Sequence, residues 1–131
     1  MSGTEDGEGG GKTLLIVDDD PSIVAMLTTR LRSCGYQLVT ATDGELAVER
    51  AREHRPDLIL LDVMMPKMSG WEVAKLLRSD DELSSIKIIM LTAIGADLSE
   101  LTAPLYDVDA HLDKPFDFTE LEQTIERVLA G

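Results

Sequence analysis

Short apolar runs alternate along the chain with longer stretches in which apolar residues recur every three or four positions. The runs Thr13–Val17, Gln37–Ala41, Asp57–Leu61, Ile86–Leu91 and Val108–Leu112 have strand length and mostly lack the helical period. Gln37–Ala41 is the most polar of them and is expected at a sheet edge. Between the first two, Ile23, Leu27, Leu31 and Cys34 recur at helical spacing. Asp20 can cap that helix, Pro21 suits its first position, and Gly35 can end it. A second helix is predicted over Glu45–Glu53. A third opens on the capping box Ser69-Gly70-Trp71-Glu72 and continues through Val73, Leu76 and Leu77. Asp97 can cap a short fourth helix that Pro104 ends. Asp117 caps the last one, Phe116 and Leu121 can staple its start, and Leu121, Ile125 and Val128 face the core.

Strict alternation of strand and helix predicts a parallel sheet covered on both faces, with right-handed crossovers. For 131 residues the expected architecture is α/β, a flavodoxin-like (βα)5 three-layer sandwich with strand order 2-1-3-4-5. That order puts the switch point, where such sheets bind ligands, between the first and third strands. The residues at the carboxyl ends of the runs then matter. The first runs into Asp18, Asp19 and Asp20, the third into Asp62, the fourth into Thr92, and the fifth is followed closely by Lys114.

Composition narrows the function. The net charge of −13, from 25 acids and 12 bases, argues against a nucleic-acid surface, which needs Lys and Arg to neutralise phosphates. Cys34 is the only cysteine. No internal disulfide is possible, a cytoplasmic setting is expected, and Cys34 reads as a small buried residue. No apolar run approaches the roughly 20 residues of a membrane span. Residues 1–12, with five glycines and three acids, read as a flexible tail ahead of one domain over 13–131.

Carboxylates crowded into one crevice repel: at an effective dielectric of about 20, two charges roughly 4 Å apart interact by roughly 4 kcal/mol. Such a cluster suits a hard divalent cation, and carboxylate oxygens suit Mg²⁺. With magnesium, the Lys114 ammonium and the Thr92 hydroxyl, the crevice can accept a phosphoryl group, and one carboxylate can act as nucleophile toward phosphorus. Capping explains Asp20 but leaves Asp18, Asp19 and Asp62 without a structural task.

Four segments carry a family resemblance: Leu15-Ile16-Val17-Asp18-Asp19-Asp20, Leu60-Leu61-Asp62-Val63-Met64-Met65-Pro66-Lys67-Met68-Ser69-Gly70, Met90-Leu91-Thr92-Ala93 and Leu112-Asp113-Lys114-Pro115. In this order and spacing, residues 13–130 resemble a response-regulator receiver domain of two-component signalling, of the kind found in chemotaxis regulators. The resemblance implies that Asp62 is the phosphoryl acceptor. It implies Mg²⁺ ligation by Asp19 directly, Asp18 through water, Asp62, and the Met64 backbone carbonyl. Thr92 and Lys114 would contact the phosphoryl oxygens, and Lys114-Pro115 would be a cis peptide. The implied donor is a phosphohistidine on a sensor histidine kinase or a histidine phosphotransfer protein. The implied response is a shift of the face built from the fourth helix, fifth strand and fifth helix, read by a downstream protein target. Self-catalysed phosphoryl transfer and slow dephosphorylation, not turnover, would be the only enzymatic character.

Several positions depart from the family pattern. His111 stands where the switch usually has an aromatic residue on the fifth strand, and Asp107 stands where Gly is common. Met64 and Ile94, two positions beyond Asp62 and Thr92, are bulky and apolar, so they should screen the phosphoryl group from water and prolong the signal. Residues 95–131 hold nine acids (Asp97, Glu100, Asp107, Asp109, Asp113, Asp117, Glu120, Glu122 and Glu126) against the bases Lys114 and Arg127. Symmetric pairing of that face would oppose like charges, so a monomer and a basic or apolar target are expected. Trp71 is expected in the core or its rim. Two alternatives stay open: a pseudo-receiver that binds partners without phosphorylation, and a haloacid-dehalogenase-type phosphohydrolase using Asp18.

Overall fold

The structure, a computed structural model, describes residues 11–65, 68–92 and 108–131. Five parallel strands, β1 (Thr13–Val17), β2 (Gln37–Ala41), β3 (Leu58–Asp62), β4 (Lys87–Thr92) and β5 (Ala110–Asp113), form one sheet in the order β2-β1-β3-β4-β5. Among the described residues the helices are α1 (Pro21–Arg32), α2 (Gly44–His54), α3 (Gly70–Ser79) and a C-terminal helix (Phe118–Ala130). The fourth helix predicted from Asp97 lies outside the described residues, as does the tail apart from Gly11 and Lys12. Lys12 already joins the ladder, its carbonyl accepting from Gln37 N–H at 2.9 Å.

The period of two within each strand divides the apolar residues between two cores. Leu15, Val17, Ile59, Leu61, Ile88 and Met90 pack with Ala47, Val48 and Ala51 of α2 and Val73, Ala74 and Leu77 of α3. Leu14, Ile16, Leu58, Leu60, Ile89 and Leu91 pack with Val24, Leu27 and Leu31 of α1 and Leu121, Ile125 and Val128 of the C-terminal helix. Each such leucine or isoleucine stabilises the fold by about 1.5–3 kcal/mol when fully buried. β3, central and covered on both faces, is buried at every position. The polar β2 takes an edge, as its composition predicts.

The helix starts follow their caps. Asp20 accepts from Ser22 N–H, Asp43 from Leu46, and Asp117 from Glu120. Ser69 and Glu72 complete the reciprocal capping box. Past the end of α1, Gly35 holds φ 97°, a conformation that glycine adopts without steric cost. Cys34 is buried there, its Sγ 3.0 Å from Glu122 Oε2 of the C-terminal helix. Trp71 packs partly buried against the α2–α3 core.

Strand limits move by a residue or two for identifiable reasons. β3 runs on to Asp62, which pairs in register with Leu91, because backbone pairing is indifferent to the polarity that marks the end of the apolar run. β5 starts at Ala110 and not at Val108. Just before it, Asp109 spends its side chain on the ladder: Oδ2 accepts the Ile88 N–H at 2.8 Å and pairs with Arg78 at 2.9 Å.

Candidate functional site

Strand register assembles the site. Val17 pairs with Leu61, so Asp18, which directly follows β1, lies level with Asp62 at the end of β3. Thr92, at the end of β4, pairs with Asp113, and Lys114 follows directly. Four of the predicted residues are thereby delivered to one edge of the sheet by the backbone alone.

The side chains of Asp18, Asp62 and Lys114 meet there. Asp18 is 1% and Asp62 5% exposed. Lys114 Nζ bridges them, 3.0 Å from Asp18 Oδ2 and 3.3 Å from Asp62 Oδ1. The other Asp18 oxygen accepts the Asp20 backbone N–H at 2.9 Å. Asp19 stays exposed, yet it offers a carboxylate oxygen within 4.8 Å of those of Asp18 and Asp62. At that separation each pair of charges repels by roughly 3–4 kcal/mol at an effective dielectric of about 20. Lys114 offsets part of this and cannot neutralise all three.

The titration of Asp62 reflects the imbalance. Burial, and after it the Asp18 charge, pushes its carboxyl above the ordinary value of 3.8; Lys114 pulls the other way, and Asp19 adds to the rise. For Lys114, burial is the largest influence and acts downward, but its contacts with Asp18 and Asp62 together outweigh it, so its pKa is raised. The ammonium is held by two carboxylates while one of those carboxylates is held at an energetic cost. Three hard oxygen donors around one point, short of positive charge, fit a divalent cation.

The loop after β3 is set by two glycines whose neighbours leave no room for a side chain. A Cβ on Gly70 would collide with the Asp62 carbonyl oxygen and lie 2.9 Å from Val63 Cα. The Gly70 N–H donates to Val63 O at 2.9 Å. A Cβ on Gly44 would lie 2.8 Å from Met68 Cβ. Gly70 thus seats the acidic strand end, a packing role that sequence reasoning missed although it read Gly70 in the capping box and in the segment that carries the family resemblance. Its position directly after the cap of the loop that follows Asp62 was the available signal. The Asp20 N–H that orients Asp18 was missed too, since backbone donors leave no mark in composition.

The remaining predicted residues sit as follows. Met64 is 69% exposed at the rim. His111 is half-buried in β5 and pairs in register with Met90. It alternates with Ala110 and Leu112, which face the α1 side, and so projects from the opposite face of the sheet. The Lys114–Pro115 peptide bond is cis. Asp107 and Ile94 lie outside the described residues, and Thr92 is described here by its backbone.

Residues 14–126 match the response regulator receiver domain. The chain belongs to this family. The receiver is 39% identical over 118 residues to PhoP of Bacillus subtilis, the alkaline phosphatase synthesis transcriptional regulatory protein, a match covering 90% of this chain and 48% of PhoP. The receiver spans about half the length, or somewhat less, of the curated relatives it matches, from 44% upward among those most similar. Against solved structures the match extends over nearly the whole partner. Vibrio cholerae chemotaxis protein CheY4 superposes with a TM-score of 0.85 at 34% identity, covering 90% of this chain and 98% of CheY4. The receiver domain of the Pseudomonas aeruginosa sensor histidine kinase PA1611, solved with a magnesium ion in its active-site cleft, superposes with a TM-score of 0.84 at 29% identity, covering 92% and 99%. Among the described residues of this receiver, no helix is long and apolar enough to cross a membrane.

Proposed function

We propose that this receiver is a phosphorylation-activated switch in which Asp62 accepts a phosphoryl group from a phosphohistidine. The donor is a sensor histidine kinase or a histidine phosphotransfer protein. The observation that carries the reading is the acidic triad with Lys114 bridging two of its members. Asp18, Asp19 and Asp62, with the Met64 carbonyl, would hold Mg²⁺. Bound magnesium would supply positive charge beside the incoming phosphoryl oxygens. An Asp62 oxygen then attacks phosphorus as the bond from phosphorus to the imidazole nitrogen breaks and its electron pair leaves with the imidazole. Lys114 is close enough to Asp62 to pair with the transferred group once that group replaces the carboxylate's free charge. Thr92 and His111 relay the change toward the face that a downstream protein reads.

Further features agree with the reading. Asp20, which a phosphohydrolase built on Asp18 would need free, spends its carboxylate on the α1 cap at Ser22. Met64 and Ile94 would screen the aspartyl phosphate and slow its hydrolysis. The surplus of acids favours a protein target over nucleic acid and a monomer over a symmetric dimer. Residues 13–131 act as the switch and 1–12 as a tail, in a cytoplasmic setting.

The test is intact mass after treatment with acetyl phosphate. One phosphoryl group is expected with Mg²⁺ present, and none with a chelator or in Asp62→Asn. An adduct that persists in Asp62→Asn would move the acceptor elsewhere.

A further inference from the structure

At the opposite, amino end of the same strands lies a cavity of about 390 Å³ lined by Lys12, Arg55, Asp57, Glu82, Ser85 and Lys87, with Pro56, Ile86 and Leu129 as its apolar wall. Three of the chain's 12 bases face it in a protein of net charge −13. Its two acids are already engaged. Glu82 pairs with Arg55 at 2.8 Å, and Asp57 Oδ2 accepts the Thr13 N–H at 2.8 Å. Lys12 and Lys87 have no side-chain partner among the described residues, and the lining carries three positive charges against two negative ones. Lys87 is only half exposed, and the Ser85 hydroxyl beside it is a further donor.

Arg55 adds a second, independent observation. It ends α2 in the left-handed region, at φ 45° and ψ 62°, where helices usually place glycine or asparagine. It also precedes Pro56, which favours extended backbone at the preceding residue. Strain of this kind persists only where something else holds it, and it concentrates at ligand sites. The ion pair with Glu82 is no sufficient reason, because its side chains are 62% and 70% exposed and such pairs contribute little. The conformation closes α2, the Arg55 N–H donating to Ala51 O at 2.9 Å, and it also sets a guanidinium at the cavity wall.

We propose that this cavity binds a phosphate group, either the free ion or the phosphate of a small ester. Lys12 and Lys87 would bind the phosphate oxygens with Ser85 as a neutral donor. In an ester, the free lone pairs of Asp57 and Glu82 would accept from hydroxyls, and the Leu129 and Ile86 wall would take the apolar part. The volume lies within the usual range for small-molecule sites. The site is separate from Asp62 and independent of whether Asp62 is phosphorylated.

The experiment is an amide NMR titration of the full chain at constant ionic strength, with inorganic phosphate in one arm and AMP in the other. Saturable shifts are expected at Asp57, Ser85 and Lys87 in at least one arm, and the arm that saturates at lower concentration identifies free ion or ester. The Lys12→Gln, Lys87→Gln pair should weaken binding by about tenfold or more, the effect of losing charge-assisted hydrogen bonds. Arg55→Gly relieves the backbone strain, so it should keep the fold and still weaken binding. Lys114→Gln should leave these shifts unchanged. Absence of saturable shifts in both arms, equal binding by the double variant, or loss of binding in Lys114→Gln would each overturn the proposal; the last would place the anion beside Asp62.

Discussion

The two ends of the sheet use charge in opposite ways. At the carboxyl end, Asp18 and Asp62 are buried against one another with one ammonium between them. At the amino end, Arg55 and Glu82 face each other in the open. Burial amplifies the first set, because there is little water to screen it, and water weakens the second. Among the described residues, the fully buried charged side chains, Asp18 and Asp62, lie where the strands end together. The fold tolerates repulsion at that edge, and the rest of the carboxyl-end structure, from the Asp20 N–H to Gly70, holds it in place. The contrast teaches that counting ion pairs would misjudge this molecule: the well-formed exposed pair matters least and the unbalanced buried cluster most.

The largest effect that sharpens the comparison should come from an uncharged position at the carboxyl end. Gly70→Ala puts a Cβ into the Asp62 carbonyl and Val63, and should destabilise by roughly 3 kcal/mol, at the upper end for overpacking. Chemical denaturation measures it. A loss within experimental error would mean that the loop after β3 yields easily and does not seat the acidic edge.

Lys114→Ala ranks next. It leaves two buried carboxylates facing each other without their cation, and a loss of about 2 kcal/mol is expected in metal-free buffer, reduced from the fully buried case because Lys114 is partly exposed. Magnesium should recover much of that loss. If the variant is as stable as the parent without metal, the lysine bridge contributes nothing and the buried edge resembles the exposed one.

Asp62 supplies a pH test. Its folded pKa lies above the unfolded value, so the native state binds more protons across that interval. The stability it confers is therefore present below pH 3.8 and is lost as pH rises through the folded pKa. At neutral pH the ionised group costs stability, and Asp62→Asn should raise the melting temperature of the metal-free protein by a few degrees. The gain should shrink as the pH falls toward that value. Lys114, whose pKa is also raised, keeps its contribution throughout and loses it only above its folded pKa. A melting temperature of Asp62→Asn that is lower than the parent's at neutral pH would mean the acidic edge is not strained.

The smallest effect belongs to the amino end. A double-mutant cycle on Arg55 and Glu82 should give a coupling of about 0.5 kcal/mol or less, falling with added salt. A coupling several times larger would erase the contrast between the two ends and remove the case for reading the Arg55 backbone as strained for a ligand.

Much of this was readable in the chain itself. Strand positions followed from apolar runs, and helix starts at Asp20, Ser69 and Asp117 from capping chemistry. Strand ends were less readable, because Asp109 and Asp62 take part in sheet pairing that hydropathy does not register. The amino-end cavity could not be seen in advance. Lys12, Arg55, Glu82 and Lys87 share no motif, and only the fold gathers them.

The sequence by itself determined the α/β alternation and which residues stand at the carboxyl ends of the strands. Those depend on local terms: the period of two, the period of 3.6, and the preferences of cap and turn residues. Tertiary structure alone decided that Lys114 reaches both Asp18 and Asp62, that Asp62 is buried deeply enough for its pKa to rise, and that Gly70 has no room for a methyl group. Distance and solvent exposure between segments up to 96 residues apart set those energies, and neither quantity exists until the sheet has closed its register.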